Sequence, residues 1–483
     1  MRLSPRLRRP LAALLLAALA LGLYQGRRAF IRAFFADGEV RLVGAPRGAS
    51  TQATPRPVER LRVVLIDGLG AAHAERLPTL SERCAAGIEL RVDVGFPTVS
   101  LPVQHALWTG RTQQESGILY RIPALASPPL DALPRFVRAR AVAESHPAIV
   151  HSFGFDVAEP PLVAGDPEAL PEGWREGFPA RAAAAVAGDE PLVFVHILRV
   201  DEAGHAAGGA SAAYEAAAAE ADAILGQLVA ADASASASTR WVVLADHGHR
   251  PEGGHGGPEP AIRVVRACVF GAGVATSAAR VPVAANLSDV ARLLGESLGV
   301  APSPGASGRP WPEVLAGESP PQLPAPSVAR WIAALVAGVG ILGAALLAAG
   351  RRLLWAPLVW PCLAFVAVVA GVGWPTLSNP AIYPPVGAAL LRAAWPGWIA
   401  AALTLFIARR RVSPVRAAWV VAAGGWAPVA ASALLAGVGD GPPLQPIWSA
   451  AASTWMILAW PVTVAAAVVA AMPTSARASN QPG

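Results

Sequence analysis

The sequence contains no lysine, so all 39 of its basic residues are arginine. Charged residues make up only 15% of the 483 residues, whereas a soluble domain normally carries about 25%. Hydrophobic residues reach 54%, which excludes both an ordinary soluble globule and a disordered chain. The missing lysine accompanies a high content of Ala, Gly and Pro, which indicates mutational bias and says little about function.

Cysteine is also scarce, because the chain contains only Cys84, Cys268 and Cys362. No CxxC pair and no Cys/His spacing typical of a metal site is present, which argues against a thiolate metal centre and a disulfide-based scaffold. Spacing alone does not decide a pairing, so a bridge between Cys84 and Cys268 stays open.

Acidic residues are nearly missing from the last third of the chain, where Asp440 is the only one after residue 327. Residues 1–32 carry seven Arg and no acid, residues 33–327 carry 23 Arg and 32 acids, and residues 328–483 carry nine Arg. The only large polar region is therefore acidic, and the positive charge flanks apolar runs. A nucleic-acid-binding domain carries a basic patch, so this pattern excludes a nucleic-acid partner and indicates a lipid bilayer.

A basic amino-terminal segment precedes an apolar stretch of 14 residues, LAALLLAALALGLY. That length fits the core of a signal peptide as well as a short anchor. We expect an uncleaved signal anchor within residues 1–32, with a cleaved signal peptide as the alternative. Either one sends the following residues across the membrane.

Five apolar stretches of near-spanning length follow residue 327, at about 329–350, 353–374, 386–408, 415–437 and 448–472. The loops with Arg351 and Arg352 and with Arg409–Arg411 are basic, whereas the alternate loops contain no Arg. Positive loops stay in the cytoplasm. The sequence thus predicts a multi-pass transmembrane domain of about five helices at 328–474 in the plasma or inner membrane, with 33–327 outside the cytoplasm.

A Pro-rich segment at 301–327 predicts a semi-extended linker between this bundle and an acidic domain at 58–300. Within that domain, short apolar runs such as RVVLID, PLVFVHIL and RWVVLAD alternate with Ala-rich stretches such as SAAYEAAAAEADAILGQLVA. Continuous apolar strands between helices are typical of an α/β sheet covered by helices on both faces.

Candidate functional residues follow several of these strands, where ligands of α/β sheets bind. Asp67 ends VVLIDGLG, and Ser100 lies in FPTVSLPVQHALWTG at the start of an expected helix. Ser100 either caps that helix or acts as a nucleophile beside the positive end of the helix dipole, where phosphate binds. Asp201 and His205 in HILRVDEAGH are spaced i, i+4, and we expect the intervening glycine to turn the backbone so that both face one ion.

A further motif, DHGHRPEGGHGG, places Asp246 beside His247 at a strand end and His255 beyond a glycine-rich loop. Carboxylate and imidazole ligands together suit Zn²⁺ or a similar ion. His249 lies inside the same loop, and we expect it to face solvent, with an additional polar contact in the site as the alternative. His196, on the strand that leads to Asp201, is expected to be structural or to support a ligand.

These motifs, in this order, resemble the alkaline phosphatase superfamily of two-metal phosphoryl- and sulfuryl-transfer enzymes. HILRVDEAGH and DHGHRPEGGHGG look most similar to the glycolipid-anchor ethanolamine phosphate transferases, and Ser100-x-Pro102 with Thr109-Gly110 resembles the type I phosphodiesterase/nucleotide pyrophosphatase branch. The resemblance covers about 58–260 and implies an alkaline-phosphatase-like sheet. It implies two divalent cations as cofactors, Zn²⁺ first and Mn²⁺ as the alternative.

Carried over by motif, the resemblance assigns one ion to Asp201, His205 and His255. The second ion is assigned to Asp67, Asp246 and His247, with Ser100 as its remaining ligand. In both branches the nucleophile stands two residues before the proline, which implies Ser100, with Thr98 as the fallback.

Two departures from the family patterns limit the transfer of roles. The sulfatase branch has an Arg where this chain has Gln104, so the signal for conversion to formylglycine is broken and a sulfatase is not expected. The pyrophosphatase branch has an Asn 21 residues after the nucleophile, where this chain has Arg121. Arg121 is either a bidentate phosphate contact or a solvated loop residue.

The sequence therefore predicts a membrane-bound metal-dependent phosphoric-ester hydrolase or phosphotransferase that acts through Ser100. The expected substrate is a lipid- or glycan-linked phosphodiester, as in phosphoethanolamine transfer. One alternative is a pyrophosphatase, phosphodiesterase or phosphatase of soluble substrates with the helices as anchor. The other, from a different class, is an inactive membrane scaffold or receptor.

Overall fold

A computed structural model describes residues 4–36, 56–118, 124–233, 238–257, 259–274, 282–316, 327–351, 353–372, 387–437 and 446–473. The chain divides into two compact units, which are considered separately. The sheet unit comprises Gly38–Gln322, and the helical unit comprises Met1–Asp37 together with Leu323–Gly483.

The strands are β1 (Arg60–Ile66), β2 (Ile88–Asp93), β3 (Ala139–Ala143), β4 (Val157–Glu159), β5 (Leu192–Ile197), β6 (Thr239–Leu244), β7 (Val264–Gly271) and β8 (Val283–Asn286). The helices are α1 (Pro5–Ala36), α2 (Ala71–Ala74), α3 (Pro78–Ala85), α4 (Ser100–Thr109), α5 (Gln113–Ser116), α6 (Pro147–His151), α7 (Trp174–Ala187), α8 (Arg199–Ala207), α9 (Ala212–Ala231), α10 (Pro260–Arg263), α11 (Leu287–Ser297), α12 (Trp311–Leu315), α13 (Val328–Ala349), α14 (Ala356–Val372), α15 (Gly387–Arg411), α16 (Pro414–Ala436) and α17 (Pro446–Ala471).

The sheet unit is built on one eight-stranded sheet with the order β4-β3-β5-β1-β6-β7-β2-β8. The strands β3, β5, β1 and β6 run parallel to one another, while β7 is antiparallel to both β6 and β2. All residues of β5 and β6 are buried. Because side chains alternate between the two faces of a strand, both faces of the sheet must be covered. The predicted α/β sheet is therefore confirmed.

Local sequence explains how the long helix of this unit begins. The side chain of Ser211 accepts a hydrogen bond from the backbone N–H of Tyr214 and caps α9. Apolar residues at helical spacing then face the core, including Ala218, Ala221, Leu225 and Leu228. The Ala-rich stretch predicted as helical is thus an amphipathic helix with a defined amino-terminal cap.

Part of the segment expected to be a linker is folded against the sheet unit. Helix α12 buries Trp311 and Val314, which are 2% and 0% exposed, in the core of that unit. Arg309 forms a salt bridge with the buried carboxylate of Asp289 at 2.7 Å. The expectation of an extended linker over the whole of 301–327 is wrong, because these apolar and charged side chains anchor its first half despite the Pro-rich composition.

The helical unit contains all the apolar stretches that the sequence predicts to span a membrane. Within the described residues, four helical segments are long and apolar enough to cross a bilayer: Leu7–Gly26, Val328–Ala349, Pro414–Ala436 and Ala451–Ala471. A shorter apolar helical segment lies at Ala356–Ala370. Leu16 of α1 is fully buried in a cluster with small residues of α16 and α17, among them Ala422 and Ala466. The protein is therefore a membrane protein by the length and composition of its helices.

Candidate metal centre

The candidate residues collect at the carboxyl ends of three neighbouring strands. Asp67 follows β1, Asp201 lies just beyond β5, and Asp246 and His247 follow β6. Since β5, β1 and β6 are adjacent and parallel, their ends lie at the same edge of the sheet. The sheet topology thus brings together residues that are up to 180 positions apart in sequence, from Asp67 to His247.

The ends of β1 and β5 approach each other closely at Gly68. This residue has a φ of +75°, and a Cβ added to it would lie 2.7 Å from Asp201 Cα. Its backbone N–H donates a hydrogen bond of 3.0 Å to Asp246 Oδ1. The glycine after Asp67 is therefore required both by its left-handed backbone and by the space that Asp201 occupies.

Ser100 is the first residue of helix α4, as the sequence predicts. Its Oγ lies 3.4 Å from Asp67 Oδ1 and 3.5 Å from His247 Nε2. The first N–H groups of a helix have no intrahelical partner and carry partial positive charge. Ser100 is thus placed between candidate metal-ligand atoms and the positive end of a helix.

Asp201 and His205 lie one turn apart on helix α8. The expectation that the intervening glycine turns the backbone is wrong, because Gly204 is inside this helix. Residues four apart on a helix already lie on one face, so no turn is needed. His205 Nε2 is 3.5 Å from Asp201 Oδ2.

The two predicted sets of ligands are each brought together. In the first set, His255 Nε2 lies 3.0 Å from His205 Nε2 and 3.7 Å from Asp201 Oδ1. In the second set, His247 Nε2 lies 3.4 Å from Asp67 Oδ1 and 3.5 Å from Asp246 Oδ2. Asp67, Asp246 and His247 can together hold an ion, and a further compatible group consists of Asp201, His247, His249 and His255.

Burial without a counter-charge shifts the titration of two carboxylates in this cluster. Burial raises the pKa of Asp246 to about 7. The hydrogen bond from Gly68 opposes this rise, and the negative charge of Asp201 contributes to it. Burial and the charges of Asp246 and Asp201 also raise the pKa of Asp67 well above its usual value. Burial would raise the pKa of Asp201 as well, but the hydrogen bond from His249 and the nearby histidines hold it well below its usual value.

The imidazoles of His247 and His255 are neutral at physiological pH. Burial lowers the pKa of His247 to about 3 and that of His255 well below its usual value. Each ring directs Nε2 into the cluster and uses Nδ1 to donate to a backbone carbonyl. His255 Nδ1 donates to Thr98 O at 2.8 Å, and His247 Nδ1 donates to Gly248 O at 3.2 Å. A neutral ring with one nitrogen fixed in this way is typical of a metal ligand.

His196 supports Asp67, in agreement with the role expected from the sequence. The side chain of His196 is fully buried, and its Nε2 lies 2.8 Å from Asp67 Oδ2. Because a carboxylate accepts, the ring must donate through Nε2. Asp67 is thereby oriented so that Oδ1 faces Ser100 and His247.

The structure corrects the expectation for His249 and does not describe Arg121. The side chain of His249 is buried, and its Nε2 donates to Asp201 Oδ1 at 2.8 Å, so the expected solvent-facing role is wrong. The end of this loop is held by a bridge between Gly256 and Thr98, and His255 next to it reaches His205. Arg121 lies outside the described residues.

Thr98 is fully buried, and its hydroxyl donates to Gly257 O at 2.8 Å and accepts from Gly256 N at 2.9 Å.

The donor chemistry of the cluster fits divalent cations. Three buried carboxylates lie beside neutral imidazoles, a mixture that suits Zn²⁺. Among the described residues, Asp246 Oδ2 is buried and has no hydrogen-bond partner. Carboxylates this close repel one another when ionised, so a cation at this position would satisfy both the charge and the unpaired oxygen.

A comparison with protein families agrees with these motifs. Residues 170–258 match the family model for type I phosphodiesterase / nucleotide pyrophosphatase. The matched segment contains Asp201, His205, Asp246, His247 and His255, and it does not reach Asp67 or Ser100. The resemblance to this branch of the alkaline phosphatase superfamily is therefore confirmed over the carboxy-terminal half of the candidate site.

Solved structures of the same superfamily are distant neighbours of the chain. A protein of the alkaline phosphatase superfamily from Vibrio parahaemolyticus is 16% identical over 58% of this chain and 77% of its own, with a TM-score of 0.36. Murine ectonucleotide pyrophosphatase / phosphodiesterase 5 is 16% identical over 54% of this chain and 100% of its own, with a TM-score of 0.36. A 2-O GAG sulfatase is 15% identical over 55% of this chain and 76% of its own, with a TM-score of 0.43.

No curated protein matches the sequence. The family match nevertheless bears out the prediction of an enzyme, a phosphoric-ester hydrolase or transferase. The clustered His and Asp side chains agree with the metal dependence of that class. The protein is thus a membrane protein with a phosphoester-processing domain.

Proposed function

We propose that the sheet unit binds two divalent metal ions and cleaves or transfers phosphodiesters through Ser100. The observation that carries this proposal is the position of Ser100 Oγ, 3.4 Å from Asp67 Oδ1 and 3.5 Å from His247 Nε2. Ser100 does not cap α4, because the N-cap residue of this helix is Val99 and the described contacts of Ser100 Oγ are with Asp67 and His247. A hydroxyl beside several ligand atoms is instead suited to act as a nucleophile.

The proposed ligands of one ion are Asp67, Asp246 and His247, with Ser100 completing the set. Those of the other ion are Asp201, His205 and His255. When bound, divalent ions such as Zn²⁺, or Mn²⁺ as the alternative, supply Lewis acidity that lowers the pKa of a bound hydroxyl and neutralises developing negative charge. The protein contributes fixed positions for the reacting oxygens.

Ser100 is favoured over Thr98 by the hydrogen bonds of the two hydroxyls. Thr98 uses its hydroxyl to join its own loop to the Gly256–Gly257 backbone, on which His255 depends. The partly buried Ser100 hydroxyl instead faces Asp67 and His247. Thr98 is therefore assigned a structural function.

The chemistry proceeds in two displacements at phosphorus. In the first, Ser100 Oγ forms a bond to phosphorus, the ester bond to the leaving oxygen breaks, and the leaving group departs as an alcohol after taking up a proton. In the second, water or an acceptor hydroxyl attacks phosphorus, and the bond to Ser100 Oγ breaks. Ser100 then recovers a proton, while the N-terminus of α4 stabilises the phosphate oxygens in both steps.

The proposed substrate is a phosphodiester on a lipid or a membrane-linked glycan, with phosphoethanolamine as the transferred group. Apolar helices that suffice to span a bilayer occur in the same chain as the site. A substrate that diffuses laterally in that bilayer would reach a tethered enzyme without leaving the membrane. A soluble nucleotide or other diester is the second candidate, which the match to nucleotide pyrophosphatases favours.

The catalytic unit is proposed to lie outside the cytoplasm. The arginine-rich loops of the helical unit support this orientation. Cys84 and Cys268 form a disulfide that joins α3 to β7 with their Cα atoms 4.9 Å apart, and disulfides persist mainly in oxidising compartments. Non-reducing mass spectrometry of protein taken directly from membranes should find the Cys84–Cys268 peptide. Free thiols at both positions would contradict this orientation.

The substrate class is tested with the full chain in detergent micelles. Phosphatidylethanolamine with a labelled head group and a soluble aryl phosphodiester are supplied separately, with Ser100→Ala as the matched control. The lipid substrate is supported if the labelled head group is released or transferred in a Ser100-dependent reaction with a higher kcat/KM than that for the soluble diester. If only the soluble diester reacts, the lipid assignment is wrong, and if neither reacts the enzymatic proposal fails.

A further inference from the structure

His249 is the one imidazole in the cluster that the predicted ligand sets leave without a function. Its side chain is fully buried, and its Nε2 lies 2.8 Å from Asp201 Oδ1. The ring also lies close to the rings of His205 and His255, with centroids 5.0 Å and 5.2 Å away. A buried imidazole at this place either binds an ion itself or acts on Asp201.

The second nitrogen of the ring separates these two possibilities. Metal-bound histidines almost always donate from their other nitrogen to a carbonyl, a carboxylate or water. His255 and His247 do so through Nδ1, to Thr98 O and Gly248 O. His249 Nδ1 is buried without a hydrogen-bond partner among the described residues. If His249 bound an ion through Nε2, its Nδ1 would carry the proton and would bury an unpaired N–H. If the ring instead donates through Nε2, Nδ1 carries no proton, and only an acceptor is left unpaired.

A glycine of helix α8 makes room for the ring. A Cβ added to Gly204 would lie 2.5 Å from His249 Cδ2 and 2.7 Å from its Nε2. Glycine inside a helix is less favourable than alanine. The helix that carries Asp201 and His205 therefore contains an unfavourable residue at the position where the His249 ring enters.

We propose that His249 is a positioning residue, which donates Nε2–H to Asp201 Oδ1 and fixes that carboxylate for a metal ion held with His205 and His255. In this arrangement Asp201 Oδ2 stays directed at His205 Nε2, 3.5 Å away. The inference rests on the proposed metal binding at Asp201. It assigns to His249 a hydrogen bond to a ligand and no bond to the ion.

The test compares two variants that differ in the hydrogen-bond donor. His249→Gln keeps a terminal N–H that can reach Asp201, whereas His249→Leu fills the space and cannot donate. Zn²⁺ affinity is measured by chelator competition on the full chain, and the Co²⁺-substituted proteins are compared by their visible spectra. We expect His249→Leu to lower the Zn²⁺ affinity of one site by about 10- to 100-fold. The Zn²⁺ affinity of His249→Gln should stay within about threefold of wild type, and its Co²⁺ spectrum should be unchanged.

Two results would overturn the proposal. Wild-type affinity in His249→Leu would show that the hydrogen bond has no function, and a His249→Gln variant that loses the ion as His255→Ala does would make His249 a ligand. If the wild-type chain binds neither Zn²⁺ nor Co²⁺, the proposed metal centre itself fails.

A second pair of variants covers the case in which His249→Leu does not fold. Gly204→Ala should weaken Zn²⁺ binding in the wild-type background, because its Cβ displaces the ring, although alanine favours the helix. In a His249→Ala background the same change should have no further effect on Zn²⁺ affinity. Equal effects in the two backgrounds would contradict the proposal.

Discussion

The rings of His247 and His255 stack face to face, with their centroids 3.7 Å apart and their planes within 9°. The two histidines belong to different proposed ligand sets, so the sets are in direct contact. We expect His255→Ala to release one ion and to lower the affinity for the second, because removal of the His255 ring uncovers one face of His247. Metal content during stepwise chelator titration measures this effect.

A matched control for that variant is His151→Ala. The His151 ring lies outside the cluster and donates to Pro160 O at 2.9 Å. This change should leave both ions in place. Release of a single ion from His255→Ala, with the other ion bound as in wild type, would show that the two sites are independent.

Ser100 and Thr98 should respond to substitution in opposite ways. Ser100→Ala should lose turnover while it keeps its fold and nearly all of its metal, because the serine contributes one ligand to one ion. Thr98→Val removes two buried hydrogen bonds and should lower stability by about 1–3 kcal/mol while turnover stays measurable. Thermal unfolding and diesterase assays separate the two effects, and an active Ser100→Ala enzyme beside an inactive Thr98→Val enzyme would reverse the assignment.

The close approach of β1 and β5 can be tested at Gly68. Gly68→Ala strains a left-handed backbone and places a Cβ 2.7 Å from Asp201 Cα, so metal binding and stability should both fall. Gly117→Ala has the same backbone strain, with a φ of +73°, but its Cβ would meet open space. The difference in Zn²⁺ affinity between the two variants isolates the contact with Asp201, and equal affinities would contradict it.

In the metal-free protein, the contribution of Asp246 to stability should fall as the pH rises from about 6.5 to 8. The pKa of Asp246 is raised to about 7 in the folded state, so its contribution is complete below the unfolded pKa near 4 and is lost as pH rises through 7. The buried His247 and His196, whose pKa values are both lowered to about 3, contribute in the opposite direction, mostly below about pH 6.5 and to a smaller extent above it. The loss from Asp246 in this window is about 1 kcal/mol.

Unfolding of chelator-treated protein at several pH values measures this loss. Asp246→Asn should show a smaller loss than wild type, because the amide does not titrate. Bound Zn²⁺ should abolish the loss in wild type, since the ion favours the ionised carboxylate. If the stability of the wild type and that of Asp246→Asn change equally between pH 6.5 and 8 in the metal-free proteins, the account of this carboxylate is contradicted.

The strands of the sheet and the start of α4 were predictable from the sequence because each depends on local pattern. Apolar runs identify β1, β5 and β6, and the motifs that follow them identify Asp67, Asp246 and His247. The burial of His249 against Asp201 was not predictable, because it depends on space that Gly204 leaves on helix α8. Glycine in HILRVDEAGH suggested a turn, and only the fold shows that it accommodates a ring.

The folded part of the expected linker was missed for a similar reason. Proline content indicated an extended chain, but the burial of Trp311 and Val314 depends on a core that the sequence pattern does not reveal. Ligand residues beside strand ends can thus be found locally, whereas their supporting contacts need the tertiary structure.

The covalent state of Ser100 during turnover tests the central claim most directly. The full chain, loaded with Zn²⁺ and supplied with a phosphodiester, is quenched in acid and digested for mass spectrometry. The account predicts a phosphoester adduct on the Ser100 peptide that is absent after chelation and absent in Ser100→Ala. Sustained turnover with an unmodified Ser100 peptide, or an adduct on Thr98, would contradict it.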